Sequence, residues 1–247
     1  MTRKLFILSS AILVALSMSA CGKKADADTD PKTGTSKSTE APTPKIEDIP
    51  EELKHAGYKY YGLGSSTKMT FSMAVEGSVQ EGTQTSQFAG MNDGKAVFNI
   101  VRDGVLATMG NEKYMVNSDG VFITGRGSDE QPEVFAEPVL ALPADAKVGA
   151  TWTTKLTTKD VNGAEVQLNT SEKVVKQEKI KVPAGEFDCI VVSTTGTMTV
   201  GGKSGKISGT GWYAAGTGPV KLEIIRPNPD DEKKPIKYTL LLEKVGG

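Results

Sequence analysis

The sequence predicts a mainly β fold: a strongly curved antiparallel sheet, forming a half-open barrel or a sandwich, with few short helices. Two observations predict it. From Thr67 onward the dominant hydrophobic period is two, and turn dipeptides interrupt that period at about the spacing of single strands.

The first element in order stands outside that sheet. MTRKLFILSSAILVALSMSAC opens on Arg3 and Lys4, runs apolar through residues 5–16 apart from Ser9 and Ser10, and ends in Ser19-Ala20-Cys21. The run is too short to span a bilayer, which takes about 20 apolar residues. It resembles the bacterial lipoprotein precursors, with Met18 standing where leucine is commonest. The resemblance implies a signal peptide over residues 1–20 and lipidation of Cys21, by a thioether diacylglycerol and an amine-linked acyl chain such as palmitate. Two or more chains make a stable membrane anchor. The alternative is an ordinary secretory signal with Cys21 an incidental thiol. Gly22, and not aspartate, follows the cysteine, so in a host with two membranes the outer one is expected.

Residues 21–57 read as the lipidated cysteine and a disordered tether with a short helix at its end. GKKADADTDPKTGTSKSTEAPTPK has almost no large apolar residue and cannot offset the entropy of ordering. The helix is expected at about residues 50–55. Residues 58–247 then form a single antiparallel β-domain.

Within it, Met69, Phe71, Met73 and Val75 alternate onto one face, and KAVFNIVR (residues 95–102) is a second such run. Asp93-Gly94, Asp103-Gly104, Asp119-Gly120, Asn162-Gly163 and Gly201-Gly202 are hairpin signals, since these residues tolerate positive φ. Between residues 128 and 146 three prolines predict a loop with a short helical turn, joining two groups of strands. Val182-Pro183-Ala184-Gly185 turns the chain into a strand carrying Phe187, Cys189 and Val191. Trp212 and Tyr213 close one strand, and Val220, Leu222 and Ile224 alternate along the next.

Composition excludes some function classes. The 29 basic and 30 acidic residues become 27 and 30 once Arg3 and Lys4 leave with the signal peptide, so nothing electrostatic points to nucleic acid. Lipidation of Cys21 leaves Cys189 without a disulfide partner, and its expected role is that of a small buried hydrophobe. GTMTVGGKS (residues 196–204) spells almost a phosphate loop, but Gly202 makes it one residue too long, and glycines rather than a helix follow. A two-residue Gly-Gly hairpin accounts for the spelling.

No catalytic set stands out. His55 is the only histidine, so a Cys189–His55 pair forms only where the boundary helix folds back onto the sheet. One histidine and one cysteine do not make a zinc site, and RPNPDDEKKP reads as a solvated hairpin tip. No spacing singles out two carboxylates for glycoside hydrolysis. No cofactor and no metal are expected.

Three stretches, LPADAKVGATW (residues 142–152), KVPAGEFDCIVV (181–192) and GWYAAGTGPVKLE (211–223), resemble in combination the TapB-like envelope proteins and related families of unknown function. The resemblance implies a curved antiparallel sheet akin to half-open lipid-binding barrels and transfers no catalytic residue. The expected function is that of a non-enzymatic, membrane-anchored envelope lipoprotein, binding an apolar ligand or a partner protein through its sheet. A structural or assembly module of a surface complex and a carboxylate-dependent hydrolase of envelope polymers are the alternatives. Met69, Phe71, Met73, Phe98, Trp152, Phe187 and Trp212 are the candidate residues, lining the concave face or filling the core.

Overall fold

The computed structural model describes residues 44–127, 132–159, 164–229, 231 and 233–246. The signal peptide, Cys21 and residues 22–43 of the tether lie outside the described residues, as does the Asn162-Gly163 turn.

Twelve strands form one antiparallel sheet: β1 (Met69–Val75), β2 (Ser78–Asn92), β3 (Lys95–Gly104), β4 (Glu112–Asn117), β5 (Gly120–Gly127), β6 (Pro132–Pro143), β7 (Thr151–Lys159), β8 (Glu165–Val182), β9 (Gly185–Val200), β10 (Lys203–Ala214), β11 (Gly218–Arg226) and β12 (Ile236–Val245). The spatial order is β6-β5-β4-β3-β2-β1-β12-β11-β10-β9-β8-β7. Two six-stranded meanders are thus joined where β1 pairs with β12, and the first half completes the same sheet as the second. Register shifts in most of the ladders, including those at Phe88/Gly90, Ile123/Gly125 and Val174/Lys176, bend the strands. The sheet curls until its edges, β6 and β7, nearly meet.

Among the described residues no ladder joins those edges; side chains clasp them. Arg126 Nε donates to Glu133 Oε2 at 2.6 Å, and its Nη2 donates to Thr158 Oγ1 and to the Lys159 carbonyl. The Thr158 hydroxyl in turn donates a hydrogen bond to Glu133 Oε1 at 2.6 Å. The barrel is nearly closed, and one buried arginine completes its circumference at this point.

Strand β6 takes the place of the loop expected over residues 128–146, of which 128–131 lie outside the described residues. Its prolines are admissible because β6 is an edge with one ladder to satisfy. Pairing skips from Ile123↔Val139 to Gly125↔Val134, so Pro138 falls in the stretch that the ladder omits. Asp103-Gly104 likewise makes no hairpin: Gly104 (φ +63) turns the chain into a 3-10 turn, Val105–Met109. The two-residue turns at Asp93-Gly94 and Gly201-Gly202 form as expected, with Asn92 opposite Lys95 and Val200 opposite Lys203.

The boundary segment also differs from expectation. In place of one helix at residues 50–55 there are 3-10 turns at Ile46–Asp48 and Glu51–Leu53, then α1 (Ala56–Tyr61). Ile49 and Leu53 are buried, so apolar packing begins ahead of residue 58.

Candidate functional site

A short helix, α1, bridges two separate parts of the curled sheet. α1 touches β5 and β6 on one flank of the sheet and β10 and β11 on the other. Those flanks are far apart in strand order, so α1 spans the opening between them.

The helix is seated through glycines. Gly57 donates its N–H to the Ala144 carbonyl at 3.2 Å, and a Cβ there would stand 2.4 Å from the Pro143 carbonyl oxygen. At the other end Gly62 caps the helix with φ +73, and the Gly216 N–H donates to the Lys59 carbonyl at 2.8 Å. The Leu-Pro-Ala and Ala-Gly-Thr-Gly stretches are therefore the two seats of α1, which explains why glycine and proline recur there.

His55 is the N-cap. Its Nδ1 accepts the Tyr58 N–H at 3.1 Å, and Nε2 lies 2.9 Å from the Asn117 carbonyl, an acceptor, so Nε2 carries the proton. The boundary helix does fold back onto the sheet, yet both imidazole nitrogens are engaged by backbone. Cys189 is buried, its thiol directed at the Phe187 carbonyl and pushed up to about 11 by burial. Burial lowers the His55 pKa from the ordinary 6.5. The unfolded chain then binds the proton more readily, so stability is full above about 6.5 and is lost as pH falls through the lower folded value. The expected result is a melting temperature that falls between pH 7.5 and pH 5 by more in the wild type than in His55→Asn, which keeps a capping side chain and does not titrate.

Beneath α1 the side chains form one connected network. Tyr61 stacks on Tyr213 at 6.3 Å between centroids, and its hydroxyl lies 2.8 Å from that of Tyr114. Tyr114 donates to Glu112 Oε2 at 2.6 Å, and Arg102 Nη2 meets the same oxygen at 2.7 Å. Arg102 also donates to the Gly110 carbonyl and to Gln84. The Arg102 and Glu112 side chains are 3% and 1% exposed, so this is a buried ion pair. A void of about 20 Å³ adjoins it, lined by Tyr61, Gln84, Ser86, Arg102 and Tyr114 among others. On β8, the carboxylate of Glu172 accepts from the Thr170 hydroxyl and, among the described residues, has no ion-pair partner; burial raises its pKa, while the hydroxyls of Thr170 and Thr154 pull the other way.

The sequence-chosen residues divide into two groups. Met69, Phe71, Met73 and Phe98 are at most 4% exposed and sit together in the packed interior. Trp152, Phe187 and Trp212 are half-buried. Trp212 lies across from Val191 and Lys221, its indole N–H donating to Glu178 and its ring 4.5 Å from the Lys221 ammonium. A surface crevice of about 370 Å³ opens nearby, lined by Tyr60, Gln177, Glu178, Lys179, Asp188 and Cys189. The tip of the β8–β9 hairpin reaches past two strands, where the Ala184 N–H donates to the Leu242 carbonyl of β12 at 3.2 Å. Among the described residues no group of three or more His, Cys, Asp or Glu converges on a metal site.

Sequence reasoning missed Arg102, Glu112 and Tyr61. The signal was present for two of them: Arg102 continues the buried positions 96, 98 and 100, and Glu112 begins the run continued by Tyr114 and Val116. A charge at an interior position of a period-two run marks a buried charge, and here the two pair with each other. Nothing in the sequence brings Tyr61 to them, because α1 is placed by contacts distant in the chain.

Comparison with known proteins finds a partial family match and likenesses of fold. A family model described as DUF3108-like matches residues 139–229, which include the stretches 142–152, 181–192 and 211–223; no comparison returns a TapB-like protein. No curated protein matches the chain. A solved structure provisionally described as an exported protein with YmcC-like fold, from Bacteroides fragilis, is 15% identical with a TM-score of 0.50, covering 74% of this chain and 96% of its own. Another, provisionally described as a lipoprotein from Parabacteroides distasonis, is 16% identical with a TM-score of 0.48, covering 75% and 97%. The hypothetical lipoprotein YmcC from Escherichia coli is 10% identical with a TM-score of 0.33, covering 83% and 98%. At these identities the likeness to the Bacteroides structure concerns the fold alone.

Proposed function

We propose that this chain is a non-enzymatic envelope lipoprotein, anchored to the membrane through Cys21, that docks a partner protein on the outside of its barrel. The outer membrane is the expected site in a host with two. The observation that carries this reading is the filled interior: Phe71, Phe98, Tyr114, Leu142, Ile190 and Met198 are all under 2% exposed. Ligand cavities for apolar molecules measure about 300–1,000 Å³. The void beneath Tyr61, at about 20 Å³, holds no such guest while α1 is seated. That weighs partner docking above a resident apolar ligand. The non-enzymatic part is supported by the engagement of His55 and Cys189 with backbone atoms, which leaves neither poised for proton transfer. The TapB-like resemblance adds a narrower version, in which the partner belongs to a surface complex.

The test places a photo-crosslinking residue at Lys179, on the rim of the crevice, and separately at Lys155 on β7, in intact cells. Native mass spectrometry of the purified lipoprotein runs in parallel. An envelope protein captured from position 179 and not from 155 is the expected outcome. A stoichiometric apolar molecule in the purified protein, with no protein adduct from either position, refutes it.

A further inference from the structure

We propose that the outward face of β7–β10 lies against an anionic lipid bilayer, the one in which Cys21 anchors the chain. The inference rests on that anchor, and it concerns a different face from the crevice where a partner protein docks.

The registers of three ladders align four outward residues on each of these strands into four rows of four. Lys155, Asn169, Thr197 and Lys206 make one row, and Lys173 stands two rows farther along β8, between Thr151 and Ser193. Every other position of the grid is Thr, Ser or Gln. No acid and no apolar side chain occupies it, in a chain with 30 acidic residues. The three lysines are exposed, while the neighbouring Thr154, Val174 and Ile207 point into the barrel. Acids return at the borders, where Glu165 lies opposite Lys159 and Glu223 pairs with Lys221 at 2.8 Å. Among the described residues Lys155, Lys173 and Lys206 form no ion pair, so their charge is available to a partner.

The spacing of these charges selects the partner. Three interstrand spacings put Lys155 and Lys206 about 14 Å apart, and four residues of rise put Lys173 about 14 Å above their row. Both separations exceed the screening length of about 8 Å at physiological salt, so each ammonium attracts its own counter-charge. A fluid bilayer meets that requirement, because its phosphate head groups move laterally to the lysines while the hydroxyls and amides between them donate further hydrogen bonds. The face lacks the aromatic and apolar centre of a protein interface, and with nothing apolar to bury it adheres to the bilayer without inserting. Each lysine near an anionic bilayer is worth about fivefold in the ratio of docked to undocked molecules, and three about a hundredfold. For a free chain that is weak adhesion; for an anchored one the bilayer is always within reach. The 22 residues from Gly22 to Thr43 span at most about 80 Å. The described chain begins at Pro44, beside Gly90 on β2. From there β9 is five strands away, about 24 Å around the sheet, well inside that reach.

The test uses the full lipidated chain in nanodiscs of phosphatidylcholine, with or without phosphatidylglycerol, after intact mass has scored the acylation of Cys21. A fluorophore is attached at Thr195→Cys, inside the lysine triangle, or at Gln87→Cys on β2, and energy transfer to a head-group dye is measured. Cys189 is 3% exposed and escapes labelling. Phosphatidylglycerol is expected to raise transfer from position 195 and not from position 87, and high salt to reverse the rise. The triple variant Lys155→Gln, Lys173→Gln, Lys206→Gln is expected to lose about a hundredfold in the docked ratio. Lys95→Gln, Lys233→Gln, Lys234→Gln, equal in net charge and outside the grid, is expected to keep it. The proposal is overturned by transfer from position 195 that ignores phosphatidylglycerol, by equal losses in the two triple variants, or by approach of position 87 in its place. An unacylated Cys21 refutes the anchor instead; the grid is then scored by flotation of the same chain with vesicles of each lipid, and equal flotation overturns it.

Discussion

Arg102→Met is expected to cost about 3–5 kcal/mol of unfolding free energy, read from urea denaturation monitored by circular dichroism. The size follows from what is left behind. Glu112 Oε2 receives both Arg102 and Tyr114, and its other oxygen already lacks a partner. Removing the guanidinium leaves a carboxylate that is 1% exposed with one phenol to stabilise its charge. The same change strips Gln84 and the Gly110 carbonyl of their donor. The double variant Arg102→Met, Glu112→Leu is expected to recover most of the loss, because a buried pair replaced by apolar groups of similar volume is often neutral. A single variant within about 0.5 kcal/mol of wild type would mean that solvent reaches the network. A double variant as unstable as the single would mean that the pair also fixes the path of β3 against β4.

How far the sequence discloses this molecule depends on the range of the interaction concerned. Period-two runs are local, and the alternation of Met69 to Val75 and of Val220 to Ile224 translates directly into buried faces. The Gly201-Gly202 hairpin is local too, since its register depends on two residues with positive φ. Edge position is not local. The prolines of β6 read as a loop because their admissibility depends on which strands lack a second neighbour, a property of the whole sheet. The candidate site is less legible still. Arg102 and Glu112 announce burial by their phase, but the network becomes a site only when Tyr61 arrives from outside the sheet. The motifs that hold α1 were visible as Leu142-Pro143-Ala144 and Gly216-Thr217-Gly218 while what they hold was not.

Gly62→Val is the second large effect expected, on the order of 4 kcal/mol, with dye binding that reports an opened mouth. Two costs add at this position. Its φ of +73 lies in the left-handed region, which costs a side chain about 1–2 kcal/mol. A Cβ would also stand 2.3 Å from the Thr217 carbonyl oxygen and 2.6 Å from the Gly218 nitrogen, both backbone atoms that no rotamer change can move aside. Overpacking of that kind adds about 1–3 kcal/mol or displaces the element. Gly216 separates the two costs: its φ is +78 and nothing lies within 4 Å of its Cβ direction, so Gly216→Ala pays the backbone cost alone. A large loss at Gly62 beside a loss near 1 kcal/mol at Gly216 assigns the difference to the seat of α1. Equal losses would mean that the helix shifts freely in the mouth, and that the glycines serve their own turns rather than the contact between α1 and barrel.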